Sequence, residues 1–329
     1  MGQAQGAMEI YRQGISKMSN GQYQAAIQDY NRAIELDPRH TAAFHHRGIS
    51  KMALGQHEAA IQDYDKAIEL DPALSSAFFN RGTSKMALRQ HEAAIQDFDK
   101  AIELDPRNPA AYRNRGISKM ALGQHEAAIQ DFDKATELDP RNSTAFIHRG
   151  TSKMALHQHE GALQDFDKAI ELDPRNPTAY RNRATSQMAL GQHEAAIQEF
   201  DKAIELDPRD PAAYRNRAAS KMALGQHEAA IQDYDKAIEL DPALSSAFVN
   251  RGTSKMALRQ HEAAIQDYDK AIEMDPRLVE AIHNRGVSKM ALGQHEAAIQ
   301  DYNRVLELNP SHSGAIRNRD ISKEAIGQD

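Results

Sequence analysis

Apolar residues recur along this chain in two helical stripes separated by short polar breaks, and the whole pattern returns every 34 residues. In residues 41–74 the second stripe holds Ala60, Ile61, Tyr64, Ala67 and Ile68, which share one face of an α-helix. Gln62, Asp63, Asp65, Lys66 and Glu69 face away from it. The first stripe is thinner, with Phe44, Gly48, Met52 and Leu54, and its glycine marks a place where two helices approach closely. Between the stripes, Gly55 is placed to cap the first helix. A Leu-Asp-Pro tripeptide or a near variant, from Pro38 to Pro310, stops the second. The next helix is then started by Asn108, Asn176 or Asp210 as N-cap ahead of a proline, or by the serine pairs Ser75-Ser76 and Ser245-Ser246. Each unit is predicted to be a hairpin of two helices of about 14 residues, each ~20 Å long. No unit can bury its own apolar face, so neighbours must stack into an all-α solenoid.

The sample unit reads Gly48, Ala60, Tyr64, Ala67 and Pro72 at unit positions 8, 20, 24, 27 and 32. This pattern resembles the tetratricopeptide repeat. The resemblance covers nine full copies, 7–40, 41–74, 75–108, 109–142, 143–176, 177–210, 211–244, 245–278 and 279–312. Residues 313–329 resemble the first helix of a tenth and act as a C-terminal capping helix. The resemblance implies one right-handed superhelical α-solenoid spanning residues 1–329. Positions 7 and 11, commonly apolar in that family, are Arg47 and Lys51 here and recur as Arg81/Lys85, Arg115/Lys119 and Arg251/Lys255. Four residues apart on one helix face, they would repel if unpaired. They are expected to run their stems over the core and to pair with acids such as Asp63 and Asp65. In the last copy, Asp320 and Glu324 replace small and apolar residues, making the polar outer face a terminal cap requires. Residues 73–106 and 243–276 differ only at Phe79/Val249, Phe98/Tyr268 and Leu104/Met274, as a duplicated block would.

Charge and composition narrow the functional classes. The net charge of −7 gives no bulk attraction to nucleic acid or anionic membrane. The chain contains no cysteine, which excludes disulfides and thiolate chemistry. The opening MGQAQGAMEIYRQG lacks a basic stretch followed by an apolar run, and no segment approaches the ~20 apolar residues of a membrane span. A cytoplasmic protein without membrane insertion is expected. Eight of the 15 histidines, from His57 to His295, occupy position 17 at the repeat period and read as scaffold. His157 and His159 lack a third ligand for a metal. No phosphate loop, nucleophile elbow or His-Glu-x-x-His motif occurs. No enzyme, cofactor or metal is expected.

Variation within the array is more informative. Position 5 reads Tyr11, His45, Phe79, Arg113, Ile147, Arg181, Arg215, Val249 and His283, while position 6 carries Asn80, Asn114, His148, Asn182, Asn216, Asn250 and Asn284. The resemblance implies that these positions line the concave groove where ligands of the family bind. Asparagine amides both donate and accept, so a periodic row of them suits an extended peptide backbone. Arg113, Arg181 and Arg215 would make the middle of the row basic and favour an acidic stretch. The methionine row from Met52 to Met290 reads as packing. A carboxylate clamp for chaperone tails needs asparagine at position 9, where this chain has Ile49, Thr83, Ile117 and Thr151. The expected function is a non-enzymatic scaffold whose groove binds a protein or extended peptide. The alternative is self-assembly into filaments or tubes, because near-identical copies present the same edges repeatedly.

Overall fold

The computed structural model describes residues 2–327. Among them, all regular elements are α-helices, nineteen in number. The chain divides into two compact units, Met1–Leu172 and Asp173–Asp329. The first contains hairpins α1 (Gly2–Ser19) with α2 (Tyr23–Leu36), α3 (Thr41–Ala53) with α4 (His57–Leu70), α5 (Ser75–Ala87) with α6 (His91–Leu104), α7 (Pro109–Ala121) with α8 (His125–Leu138), and α9 (Ser143–Ala155) with α10 (His159–Leu172). The second contains α11 (Pro177–Ala189) with α12 (His193–Leu206), α13 (Pro211–Ala223) with α14 (His227–Leu240), α15 (Ser245–Ala257) with α16 (His261–Met274), α17 (Val279–Ala291) with α18 (His295–Leu308), and the lone α19 (Ser313–Ala325). Within each unit the second helix of one hairpin packs against the first helix of the next.

Close helix contact follows from the smallest side chains. A Cβ on Gly48 would stand 2.6 Å from the Tyr64 ring, and one on Gly116 would stand 2.7 Å from Phe132. The glycine therefore lets an aromatic ring lie directly on the first helix. Alanines at positions 20 and 27, such as Ala60 and Ala67, complete a dry interior around that ring. Complete burial of each Tyr or Phe contributes about 2 kcal/mol. The methionines belong to this packing, and several bond within it: the Tyr64 and Tyr302 hydroxyls donate to the sulfurs of Met52 and Met290.

Seven hairpins close with the same ion triad. Arg81 donates Nε and Nη2 to both oxygens of Asp97 while Lys85 approaches the same carboxylate at 2.8 Å. Arg81 also donates Nη1 to Asp65 of the preceding hairpin at 2.6 Å, so each arginine ties two hairpins together. Its guanidinium lies 5.4 Å from the centre of the Phe78 ring. The expected ion pairing is present, with the added finding that position 23 serves the same hairpin and position 25 the next. In α11–α12, Arg183 meets the longer Glu199 and Gln187 stands in place of the lysine.

The caps follow the sequence in part. Asn108 accepts from the amides of Ala110 and Ala111, and Asp210 accepts from Ala212, each ahead of a proline in the first turn. Each inner turn between paired helices returns a bond from Gln to the carbonyl five residues back, as Gln56 N does to Lys51 O, with Gly55 at φ 74°. The serine pairs do not cap. Leu74 and Leu244 occupy the N-cap positions without a side-chain bond, and Ser75 and Ser245 are the first helical residues. Leu74 packs against Phe44 and Ala77 instead, so apolar contact stands where a cap hydrogen bond would be. The outer face of α19 is only partly polar: Asp320 and Glu324 are exposed, and so are Ile316 and Ile321.

Candidate functional site

Positions 5 and 6 are adjacent on the first helix of every hairpin, and both touch the aromatic layer beneath them. The position 5 ring lies beside the position 24 ring of its own hairpin: His45–Tyr64 and Tyr11–Tyr30 centroids are both 5.9 Å apart, and Phe79–Phe98 centroids are 6.0 Å apart. The position 6 side chain reaches the preceding hairpin, as where His148 stacks on Phe132 at 5.7 Å.

The asparagines share that backward reach. Asn80 Nδ2 donates to His45 Nε2 at 3.1 Å, Asn114 Nδ2 to Thr83 Oγ1 at 3.4 Å, and Asn216 Nδ2 to Thr185 Oγ1 at 3.5 Å. Asn250 and Asn284 stand beside the hydroxyls of Tyr234 and Tyr268. The amide row therefore also ties hairpins to one another. Asn182 is half-buried at the same position of α11.

The three arginines differ. Arg181 donates to Asp210 at 2.6 Å, which neutralises its charge. Arg113 and Arg215 donate only to neutral neighbours among the described residues, at 3.4 Å to Asn114 and at 3.1–3.2 Å to Asn216. Arg113 also bears on His148, whose pKa is pushed down by burial and then by that cation. The basic centre is thus carried by Arg113 in the first unit and Arg215 in the second.

Burial sorts the remaining positions. His45, Asn114, Ile147 and Val249 are buried and present little surface, while Tyr11, Phe79, Asn80, His148, Asn250, His283 and Asn284 are half-buried. Burial, reinforced by neighbouring His46, lowers the His45 pKa to about 4. His283 is also pushed down by burial, with His312 4.8 Å away adding to the effect.

Sequence reasoning missed position 34, which faces position 5 of the same repeat. It supplies Asp210 to Arg181 and sets the His40 ring tilted against Tyr11, centroids 4.8 Å apart. The signal was there: an aspartate or histidine where other copies have asparagine or leucine. The ring Nδ1 atoms of the position 17 histidines are buried without a hydrogen-bond partner among the described residues. Among the same residues, no group of three or more His, Asp or Glu could hold a metal ion, and no helix is long and apolar enough to cross a membrane.

Comparison with known proteins agrees with this geometry. The Parabacteroides merdae tetratricopeptide repeat protein superposes with a TM-score of 0.58 at 23% identity, over 79% of this chain and 98% of its own. The APC/C hetero-tetramer Cut9–Hcn1 gives 0.60 at 14% identity, over 96% and 76%. YrrB, described as a TPR protein with an unusual peptide-binding site, gives 0.52 at 22% identity, over 57% and 97%. No curated protein matches the sequence. The tetratricopeptide repeat family itself matches residues 11–75, 79–143 and 148–211, then 211–244, 245–278 and 279–312. With its 34-residue hairpins, ring-on-glycine packing and these matches along nearly its whole length, the chain belongs to the tetratricopeptide repeat family.

Proposed function

We propose that the chain is a non-enzymatic scaffold that binds an extended peptide with an acidic stretch along positions 5 and 6 of its first helices. The observation that carries this reading is the state of Arg113 and Arg215: half-buried cations whose described partners are neutral amides. A carboxylate placed there gains a charge-assisted bond without displacing an existing ion pair. The asparagines support it, because Asn80 and Asn216 are half-buried, held by a bond to the preceding hairpin, and keep a second amide hydrogen for a ligand. Side chains already fixed lose little entropy when a ligand arrives. The description of YrrB as carrying a peptide-binding site is consistent with this use of the fold.

The test is fluorescence anisotropy with labelled, end-capped octa-glutamate and octa-glutamine. The glutamate peptide should bind more tightly, and Arg113→Gln with Arg215→Gln should weaken it by about tenfold with helicity unchanged. Added salt should weaken it as well. Replacing Asn114, Asn182 and Asn216 by alanine should weaken both peptides. Equal affinity for the two peptides, or no response to the arginine changes, overturns the acidic reading.

A further inference from the structure

Position 6 of one hairpin meets position 5 of the hairpin before it, 35 residues back. His46 Nδ1 lies 3.2 Å from the Tyr11 hydroxyl, and Asn80 Nδ2 donates to His45 Nε2 at 3.1 Å. At the same spacing further along the first unit, the two groups are Arg113 on α7 and His148 on α9. Both are half-buried. Phe132 stacks against the His148 ring at 5.7 Å and 22°, which holds its plane in place. Among the described residues neither ring nitrogen of His148 is committed to a hydrogen bond, and Arg113 donates only to the neutral Asn114. The equivalent pair in the second unit is Arg215 and Asn250. There the amide has no proton to gain.

The acids on the helices packed around His148 are already engaged. On α8, Asp131 is held by Arg115 and Lys119, and Asp133 by Arg149. On α10, Asp165 is held by Arg149 and Lys153. The charge that bears on His148 is therefore that of Arg113, from α7. After burial it is the second cause that keeps the imidazole neutral near neutral pH. A carboxylate drawn to Arg113 reverses the balance. It offsets the guanidinium charge and sets a negative charge beside an imidazole with a lone pair to protonate, and the imidazolium then donates to the carboxylate.

We propose that Arg113 and His148 form one proton-linked site for a carboxylate of the bound peptide, His148 taking up a proton as the acid docks. This rests on the acidic-peptide reading above and adds its regulation. The sign follows from linkage. At high pH His148 is neutral with and without peptide, and nothing is gained. As pH falls the complex takes the proton first, so affinity rises, by tenfold for each unit that the peptide raises the imidazole pKa. Once the free protein is protonated too, affinity changes no further. The Arg215–Asn250 pair lacks this response, so the site in the first unit gains on the site in the second as pH falls.

The probe is labelled, end-capped octa-glutamate, read by anisotropy on the full chain between about pH 8 and pH 6, where glutamate stays ionised. In the Arg215→Gln chain, which isolates the Arg113 site, affinity should rise about fivefold over that range. In the Arg113→Gln chain, which leaves the Arg215 site, it should change by less than about twofold. Adding His148→Asn to Arg215→Gln gives position 6 the residue it has in α7 and α15, and should keep binding at the higher pH while removing the rise. In carbon-13 histidine spectra, the signal lost in His148→Asn identifies this ring, and saturating peptide should move its titration midpoint to higher pH. A rise that survives His148→Asn, or a midpoint that peptide leaves in place, overturns the proton link and leaves the acidic reading standing. Octa-glutamate that binds no better than octa-glutamine at either pH overturns that reading and the proton link with it.

Discussion

Arg89, His157 and Arg259 sit at φ 59°, 58° and 59° in inner turns where other hairpins use glycine. The left-handed conformation crowds Cβ against the backbone and costs an ordinary residue about 1–2 kcal/mol, while glycine enters it freely at some cost in chain entropy. The turn's bonds are unchanged: Gln90 N still reaches Lys85 O at 2.9 Å, the distance from Gln56 N to Lys51 O. The strain is therefore isolated in one dihedral, and both arginine side chains are exposed. Arg89→Gly should stabilise the chain by about 0.5–1 kcal/mol, seen as a higher urea midpoint at constant slope. A lower midpoint would mean that the arginine makes a contact worth more than the strain.

Whole hairpins were legible because what makes them is local: stripe spacing, an Asp-Pro stop, and caps at Asn108, Asn176 and Asp210 all act within one turn of helix. Contacts made by stacking were legible only in kind: pairing with acids such as Asp63 and Asp65 was expected, but not which hairpin each acid serves. Arg81 finds Asp65 sixteen residues back, and Arg181 finds Asp210 twenty-nine residues ahead, so their pairing depends on how one hairpin lies on another. The basic row looked uniform in the sequence for that reason, and Leu74 could replace a polar cap because Phe44 lies beside it. The same stacking sets a pH response at the meeting of α3 and α5. Buried His45 accepts from Asn80 and holds a proton only below about pH 4, against an ordinary value near 6.5. Between those values the unfolded chain takes up a proton that the fold refuses, so stability is complete above pH 6.5 and declines as pH falls toward 4. Below that both states are protonated and this contribution changes no further. The loss is on the order of 3 kcal/mol and should appear as faster amide exchange in α3 and α5 on acidification. His45→Gln should flatten the decline, and an unchanged pH profile in that variant would assign it to other groups.

Across the molecule, near-identical sequence gives near-identical structure in separate units. Residues 73–106 and 243–276 share the leucine N-caps at Leu74 and Leu244, the left-handed arginines, and arginines bridged to two aspartates, Arg81 to Asp65 and Asp97, and Arg251 to Asp235 and Asp267. Conformation is thus set by a hairpin and its immediate neighbours, which is nearest-neighbour behaviour. Removal of residues 75–108 gives a direct test, since Leu74 would then precede Pro109, a residue already suited to a first helical turn. Arg115 would fall sixteen residues after Asp65, the spacing at which Arg81 now bonds it. Asn114 would stand where Asn80 meets His45 and would face Tyr64, an arrangement like that of Asn250 beside Tyr234. The bond from Asn114 to Thr83 would have no substitute, because Ile49 takes the threonine's place. The shortened chain should keep its helical signal per residue and melt within a few degrees of the parent, with an unfolding enthalpy lower by roughly a tenth. A collapse of helicity per residue would show that stability is held by interactions reaching beyond adjacent hairpins.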